Sequence, residues 1–231
     1  MDKAAAWLKK SLDYEFSEPG LLEAALTHRS AAGASNERLE FLGDSVLGFV
    51  ISNAIYKLRP GSSEGDLSRL RASLVKDVSL AKIAETLGLG DHILLGPGEK
   101  KTGGNRRASI QADALEALFG AIYLDRGFSA AEKVILHVFR ERLSELPDSD
   151  DLKDPKTRLQ ELLQAEGHDL PDYRVTAVTG QQHRQLFEVH CRVRELNLDA
   201  SGNGTSRRGA EQRAASAMLE RLRDRARNVS S

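Results

Sequence analysis

Cysteine, proline and aromatic residues are scarce in this 231-residue chain, which has one cysteine, six prolines and 5% aromatic residues. A single cysteine, Cys191, excludes a disulfide within the chain and is typical of proteins from a reducing compartment. No segment reaches the roughly 18 consecutive apolar residues of a membrane span, and the charged N-terminal segment does not resemble a signal peptide. We therefore expect a cytoplasmic protein without a membrane partner. We also expect Cys191 to lie buried in a strand, since apolar residues alternate around it.

Net charge is also low, at −1, so the total charge does not indicate a nucleic-acid-binding protein. The distribution of charge is more informative. From Pro155 onward, 13 Lys and Arg residues face 10 Asp and Glu residues, whereas the preceding part has 20 against 24. An acidic first part and a basic second part suggest two domains with different functions.

Apolar residues recur at helical spacing through the first two-thirds of the chain. Ser63 is a good N-cap with Asp66 three residues later, and Gly127 is a natural end for a helix. The pattern predicts helices at 21–26, 39–58, 63–87 (with a possible break), 108–125 and 129–146.

The composition changes at residues 147–155, which combine two prolines with several aspartates and few apolar residues, as linkers do. The pattern that follows predicts a helix at 156–165, strands near 173–178, 185–193 and 196–200, and a final helix at 206–223. We therefore predict an all-α domain over residues 1–146, a linker over 147–154, and a small α+β domain with the order α-β-β-β-α over 155–226.

Three acidic residues, Glu37, Glu40 and Asp44, lie at positions i, i+3 and i+7 of a predicted helix that is otherwise apolar. This spacing brings their side chains to one face, where carboxylates repel each other unless water or a cation screens them. A second apolar helix carries Asp113 and Glu116 at i and i+3. Carboxylates on largely buried helices need compensation, which a divalent metal ion provides.

A solvated helix face is the alternative to a metal site, because acid pairs of this kind are common on exposed helices. If a metal binds, the lack of Cys and His ligands favours Mg²⁺ or Mn²⁺ over zinc. A four-helix di-iron carboxylate site is rejected, because neither Glu40 nor Glu116 belongs to the Glu-x-x-His pair that such a site requires. Glu64 and Asp66 add further acids at the start of a third helix.

Several motifs together resemble bacterial ribonuclease III, and they occur in the expected order and spacing over nearly the whole chain. They are ALTHRS (25–30), NERLEFLGDS (36–45), EGDLSRLRASLV (64–75), LGPGE (95–99) and ADALEALFGAIYLD (112–125). The resemblance implies a role for each acid. The implied metal ligands are Glu40, Asp44, Asp113 and Glu116; Asp44 and Glu116 are also implied to be catalytic, with Glu37 and Glu64 as supporting acids in the cleft.

The activity implied by this resemblance is hydrolysis of double-stranded RNA by an Mg²⁺-dependent endonuclease, in which Mn²⁺ can substitute. Negative charge develops on the attacking water and the leaving oxygen, which divalent ions stabilise. The family leaves 5′-phosphate and 3′-hydroxyl ends with two-nucleotide 3′ overhangs, and its substrates are ribosomal RNA precursors and some mRNA and tRNA precursors. Staggered cuts require two sites, which a C₂ homodimer supplies. Phe41 matches an aromatic residue that enters the partner subunit, although an ordinary core Phe is the alternative.

The second predicted domain resembles a double-stranded RNA-binding domain, which contacts two minor grooves and the phosphates between them. The resemblance implies that the first helix offers Thr157, Gln160 and Glu161 to one minor groove. It also implies that the loop 179–183, with His183, enters the next one.

The start of the last helix is the third implied RNA contact. Ser206, Arg207 and Arg208 follow the glycine segment 202–204, which is predicted to be a loop, and would meet phosphates, where a helix N-terminus and guanidinium groups act together. One position departs from the pattern, since Glu211 stands where many such domains have a third basic residue. This departure predicts modest RNA affinity for the domain by itself.

A regulator that binds double-stranded RNA without cutting it is the alternative function. The linker makes the binding and cleaving parts separable, which supports this alternative. The complete set of carboxylates argues against it.

Overall fold

The computed structural model describes residues 1–33, 35–148, 152–181 and 184–229. The chain divides into two compact units, residues 1–149 and 150–231. The predicted fold class is confirmed, because the first unit is helical and the second has the order α-β-β-β-α. His183, which the sequence suggests as an RNA contact, lies outside the described residues.

Helices joined by short turns form the first unit. They are α1 (Asp2–Leu12), α2 (Pro19–Leu26), α3 (Glu37–Leu58), α4 (Glu64–Val75), α5 (Asp77–Leu87), α6 (Pro97–Lys101), α7 (Ala108–Val138) and α8 (Arg140–Ser144). The helices α1 and α6 are additional to those that the apolar pattern predicts. Short 3₁₀ turns, Leu89–His92 and Gly104–Arg106, lie in the glycine-rich stretch between α5 and α7.

One predicted helical stretch has the break that the sequence indicates as possible, and another ends earlier than predicted. The stretch 63–87 consists of α4 and α5, because Lys76 between them is extended, with φ −65° and ψ 148°. The predicted break at Gly127 is present, since Arg126 and Gly127 leave helical geometry and Gly127 has φ 76°. The helical segment after this break ends at Val138, well before residue 146, and the short α8 follows it.

Ser63 begins α4 with the predicted capping box. The Ser63 side chain accepts the N–H of Asp66, and the Asp66 side chain accepts the N–H of Ser63. An N-cap of this type stabilises a helix by about 1 kcal/mol. It fixes the start of α4, which is the element that carries Glu64.

Helices α3 and α7 are the central pair of the first unit and supply much of its fully buried core, including Leu47, Ile51, Ile55, Leu115, Leu118 and Phe119. Of the described helices, α3 alone is long and apolar enough to cross a membrane, judged by length and composition. A helix in the core of a protein that does not span a membrane can have the same length and composition. The packing of α3 against α7 is the most extensive between any two described elements, as expected for a core helix.

The second unit packs two helices on an antiparallel sheet with the strand order β1-β2-β3. Its elements are α9 (Pro155–Ala165), β1 (Asp172–Thr179), β2 (Leu186–Val193), β3 (Leu198–Gly204) and α10 (Arg207–Val229). Leu159 and Leu163 of α9 meet Met218 of α10 and Val189 of β2 in one core. Cys191 is fully buried in β2, as its alternating pattern predicts.

The third strand differs from its predicted position, because it spans Leu198–Gly204 and includes the glycine segment that the sequence suggests to be a loop. Gly202 and Gly204 are buried in this strand against α10. A Cβ atom added to Gly202 would lie 2.2 Å from the backbone nitrogen of Ala214, and one added to Gly204 would lie 2.6 Å from that of Ala210. These glycines therefore serve the close approach of a helix to a strand, not a turn.

Candidate functional site

Two glycines allow α3 and α7 to cross in direct backbone contact. A Cβ atom added to Gly43 would lie 1.8 Å from the carbonyl oxygen of Glu116, and one added to Gly120 would lie 2.2 Å from the carbonyl oxygen of Leu39. Neither position accepts a side chain unless the helices separate, since packed interiors have no room for an extra atom. The crossing brings the acids of α3 and α7 together.

A cluster of three carboxylates lies at this crossing. Glu40 of α3 and Asp113 and Glu116 of α7 each offer one oxygen, and the three oxygens lie within 4.8 Å of one another. All three residues are partly buried. Oxygen atoms are the ligands of Mg²⁺, which binds them at about 2.1 Å, so oxygens around one ion lie up to about 4 Å apart. The donor set fits such an ion, and an ion held by all three residues would bring the oxygens to within about 4 Å of one another.

Burial and mutual repulsion raise the pKa values of these acids. Desolvation raises the pKa of Glu116 to about 8, and the nearby carboxylates Asp44 and Glu40 add to the shift. Burial followed by the charge of Asp113 raises the pKa of Glu40, and burial followed by the charge of Asp77 raises that of Asp113. Shifts of this direction mark carboxylates without enough positive charge around them, which is what a bound cation would supply.

The structure places the other acids of the predicted set in different ways. Asp44 is exposed, one turn beyond Glu40 on α3, and is close enough to raise the pKa of Glu116. Glu64 is exposed at the start of α4, where it accepts a hydrogen bond from Ser68 Oγ at 2.7 Å. In the part of the chain that the structure describes, Glu64 is not one of the clustered carboxylates.

Asp77 is an acid near the cluster that the sequence motifs do not single out. It begins α5 and contributes to the raised pKa values of both Asp113 and Glu116. It belongs to neither of the two groups of acids on α3 and α7, so its position in the sequence does not indicate a place near the metal site. Only the packing of α5 against α7 brings it to this place.

A cavity of about 590 Å³ opens beside the cluster, lined by Glu37, Glu40 and Asp113 and by two arginines, Arg29 and Arg107. Glu37 lies 3.7 Å from Arg29. Guanidinium groups bind phosphate with strong, directional hydrogen bonds. The cavity therefore combines acids that fit a cation with bases that fit a phosphate. Arg29 belongs to the ALTHRS motif, but the sequence assigns it no role, and Arg107 lies outside the motifs.

The first motif, ALTHRS, is joined to Leu94 and to the LGPGE motif that follows it, in one wall of this cavity. The N–H of His28 donates to the carbonyl of Leu94 at 3.0 Å, and the N–H of Leu94 donates to the carbonyl of Leu26 at 2.8 Å. A Cβ atom added to Gly96 would lie 1.9 Å from the carbonyl oxygen of Ser30. Two segments far apart in the chain thus form one rigid edge, which explains the small residue in the second motif.

Asp125, the last residue of the ADALEALFGAIYLD motif, has a structural position. Its carboxylate accepts hydrogen bonds from Tyr14 Oη at 2.7 Å and from the N–H groups of Ser17 and Glu18 at 3.1 Å. Its side chain is only 1% exposed. Because Glu18 is the N-cap of α2, an acid here satisfies unpaired N–H groups at a helix start and complements the helix dipole.

In the second unit, Thr157 and Gln160 of α9 and Arg207 and Arg208 of α10 line one cavity of about 820 Å³. These are four of the residues with an implied RNA contact, and they come from the two helices that the resemblance names. The side chains that would contact an RNA minor groove therefore line the same cavity as those that would meet phosphates. We call this cavity between α9 and α10 the groove of the RNA-binding domain.

The remaining implied RNA contacts have other partners in the structure. Ser206 Oγ accepts the N–H of Gly209 at 3.1 Å and so acts as a cap of α10. The carboxylate of Glu161 pairs with Lys153 Nζ at 2.5 Å and does not line the cavity.

Phe41 is 78% exposed on α3, so it is not a core residue of its own chain. Two other aromatic residues of α3 are exposed as well, Phe49 at 59% and Tyr56 at 68%. Their spacing of eight and seven residues keeps the three side chains near one side of the helix. Large exposed aromatic residues in a row are typical of a surface that binds another protein.

Comparison with known proteins agrees with the resemblance of the motifs. Residues 18–143 match the ribonuclease-III-like family, and residues 155–222 match the double-stranded RNA binding motif. Ribonuclease 3 of Alkalilimnicola ehrlichii is 55% identical over 94% of this chain and 96% of its own length. Ribonuclease 3 of Idiomarina loihiensis is 53% identical over 95% of this chain and 96% of its own.

Solved structures of the ribonuclease III nuclease domain from Campylobacter jejuni are similar to the first unit. One is 44% identical with a TM-score of 0.59, over 63% of this chain and 99% of that chain. Another, described for structural flexibility in a region involved in dimer formation, is 47% identical with a TM-score of 0.57, over 58% and 95%. The chain belongs to the ribonuclease III family, and it is an endoribonuclease that carries a double-stranded RNA-binding domain.

Proposed function

We propose that the chain is an Mg²⁺-dependent endonuclease that hydrolyses double-stranded RNA to 5′-phosphate and 3′-hydroxyl ends with two-nucleotide 3′ overhangs. The observation that carries this proposal is the group of carboxylate oxygens of Glu40, Asp113 and Glu116, within 4.8 Å of one another at the α3–α7 crossing. Mn²⁺ accepts the same hard oxygen ligands and would substitute for Mg²⁺.

Each acid has a proposed part in the reaction. Glu40, Asp113 and Glu116 would hold the metal ion with Asp44, and the ion would activate the attacking water and stabilise the leaving 3′ oxygen. Asp44, which is exposed one turn beyond Glu40, would orient the water. Glu37 and Glu64 would support catalysis and RNA contact from the cleft. Arg29 and Arg107, which line the cavity, would hold a phosphate next to these acids.

The chain would act as a C₂ homodimer, since cuts on both strands need two sites. The aromatic side of α3, formed by Phe41, Phe49 and Tyr56, is the proposed interface, with Phe41 entering the partner subunit. The likeness to a nuclease domain from Campylobacter jejuni that has a region involved in dimer formation supports a homodimer.

The RNA-binding domain would hold the duplex with Thr157, Gln160, Glu161 and His183 at minor grooves and with the start of α10 (Ser206, Arg207 and Arg208) at phosphates. We assign the nuclease domain to residues 1–146, the linker to 147–154 and the RNA-binding domain to 155–226. The proposed substrates are ribosomal RNA precursors and structured mRNA and tRNA precursors, processed in the cytoplasm.

A cleavage assay tests the proposal. A duplex of about 30 base pairs is incubated with the protein and Mg²⁺, and the assay is repeated with EDTA, with Glu116→Gln and with Glu23→Gln. Glu23 is an exposed acid of α2, so its substitution removes the same charge away from the cluster. We expect the wild type and Glu23→Gln to cut, and Glu116→Gln to bind the duplex without cutting it. Cleavage in EDTA or by Glu116→Gln would contradict the proposed metal site, and binding without cleavage by the wild type would identify a non-cleaving regulator.

A further inference from the structure

Glu211 joins two cations from different helices at the groove of the RNA-binding domain. Its Oε1 accepts a hydrogen bond from Arg207 Nε at 2.9 Å, and its Oε2 accepts one from Lys156 Nζ at 2.7 Å. Arg207 lies one turn earlier on α10, whereas Lys156 lies in the first turn of α9, 55 residues away in sequence. One carboxylate thus connects the starts of the two helices that border the groove.

Lys156 is held by a second partner of a different chemical kind. Its Nζ lies 4.5 Å from the ring centroid of Tyr173 in β1, which is a cation–π contact. Burial raises the pKa of Tyr173, which keeps the phenol neutral beneath the ammonium group. A lysine side chain normally has many rotamers, but here a carboxylate and an aromatic face restrict it to one place.

Exposure differs sharply between the acid and the two cations. The side chain of Glu211 is 13% exposed, that of Lys156 is 35% exposed and that of Arg207 is 66% exposed. The bond to Glu211 uses Nε of Arg207, which leaves its two terminal nitrogens available to a phosphate. The acid therefore lies beneath the surface and the positive groups face outward.

The groove itself links these residues to the proposed RNA contacts. Lys156, Arg207 and Glu211 line the same cavity as Thr157, Gln160 and Arg208. Hydrogen bonds from Lys156 and Arg207 lower the pKa of Glu211, so the carboxylate stays charged across the neutral range and below it.

We propose that Glu211 is a positioning residue that holds Lys156 and Arg207 as a preformed pair of ligands for phosphates of double-stranded RNA, and that Lys156 is a further RNA-binding residue. This inference rests on the RNA surface assigned to the second domain. It reverses the expectation from sequence, in which an acid at position 211 only weakens binding. A preformed pair loses less side-chain freedom when the phosphates bind, and this gain opposes the repulsion from one shielded carboxylate.

The substitution Glu211→Gln separates the two views because they predict effects of opposite sign. Removal of a negative charge from a phosphate-binding surface strengthens RNA binding if charge alone matters. If Glu211 positions the cations, the loss of order in two long side chains should weaken binding about threefold to tenfold. Glu220→Gln is the matched control, since Glu220 is an exposed acid on the same helix and does not line the groove.

Dissociation constants are measured with the full-length chain and a duplex of about 30 base pairs in EDTA, where the RNA stays intact. A cycle with Lys156→Met plus Arg207→Ala tests whether Glu211 acts through these cations. We expect Glu211→Gln to weaken binding in the wild type and to have little effect in the background that lacks both cations. Circular dichroism and thermal unfolding of every variant verify that each one is folded.

Three results would overturn or restrict the proposal. Binding by folded Glu211→Gln that equals or exceeds that of the wild type would refute the positioning role. An equal loss in the background without the two cations would assign the effect of Glu211 to the fold of the domain instead. Failure of the wild type itself to bind the duplex would contradict the RNA surface, which distinguishes that failure from failure of the positioning role.

Discussion

Substitution of Gly43 by alanine should separate the geometry of the carboxylate cluster from the stability of the fold. The added Cβ atom would lie 1.8 Å from the carbonyl oxygen of Glu116, whereas ordinary contact begins at 3.4 Å. Helices α3 and α7 must therefore move apart by roughly 1.5 Å at the point where they carry the cluster. A metal site tolerates deviations of only about 0.2 Å in its ligand distances, so Glu40 could no longer share an ion with Asp113 and Glu116.

The cost in stability should be much smaller than the cost in activity. Overpacking of a core costs about 1–3 kcal/mol, but alanine in place of glycine inside a helix returns about 1 kcal/mol. The net loss should be about 2 kcal/mol or less, and the protein should remain folded. Misplacement of catalytic groups by about 1 Å reduces the rate about 100-fold, so kcat/KM should fall by at least that factor.

The assay measures kcat/KM for duplex cleavage over a range of Mg²⁺ concentrations, together with the midpoint of thermal unfolding. Direct titration with Mn²⁺ reports metal binding independently of cleavage, and we expect weaker binding by Gly43→Ala. Gly20→Ala is the control, because Gly20 lies exposed in α2 and a Cβ atom there would meet nothing within 4 Å. Wild-type kcat/KM and wild-type Mn²⁺ affinity in a folded Gly43→Ala protein would refute the role assigned to the helix crossing.

Three further predictions follow from the same structure. Because folding raises the pKa of Glu116 from 4.5 to about 8, the folded metal-free protein binds a proton that the unfolded chain releases. Its unfolding midpoint in EDTA should therefore fall as the pH rises through that window, and Glu116→Gln should flatten the dependence; a flat wild-type profile would contradict the shift. Arg207→Ala with Arg208→Ala should weaken RNA binding and reduce the slope of log K against log salt by up to about 2, and an unchanged slope would exclude these residues from phosphate contact. Phe41→Ser should reduce the dimer fraction measured by light scattering, whereas an unchanged molar mass at low concentration would place the interface elsewhere.

The identity of the clustered acids could be read from the sequence, because local spacing decides which side of a helix a residue occupies. Glu40 shares one side of α3 with Glu37 and Asp44, and Asp113 shares one side of α7 with Glu116. The relation between the two helices could not be read in this way. It depends on Gly43 and Gly120, and a glycine inside a helix gives no sign in the sequence of which backbone lies against it.

The third strand shows the same limit in the second unit. Gly202 and Gly204 predict a loop when only neighbours in sequence are considered, since glycine disfavours strands. In the structure they continue β3, because α10 packs so closely on this strand that a side chain would collide with it. The pairing of Glu211 with Lys156 was equally inaccessible, since it joins residues 55 positions apart.

Asp125 has a consequence for how the nuclease unit can open. It lies on α7, the helix that carries Asp113 and Glu116, and its hydrogen bonds hold the start of α2, which leads into the wall containing His28. One buried carboxylate thus couples the cavity wall that contains His28 to helix α7, which carries the clustered acids and is called the floor of the cavity here. Local unfolding of α2 would leave Asp125 buried without its partners, which is costly. The wall and the floor should therefore unfold as one cooperative unit, and the amide hydrogens of α2 and α7 should exchange with solvent together.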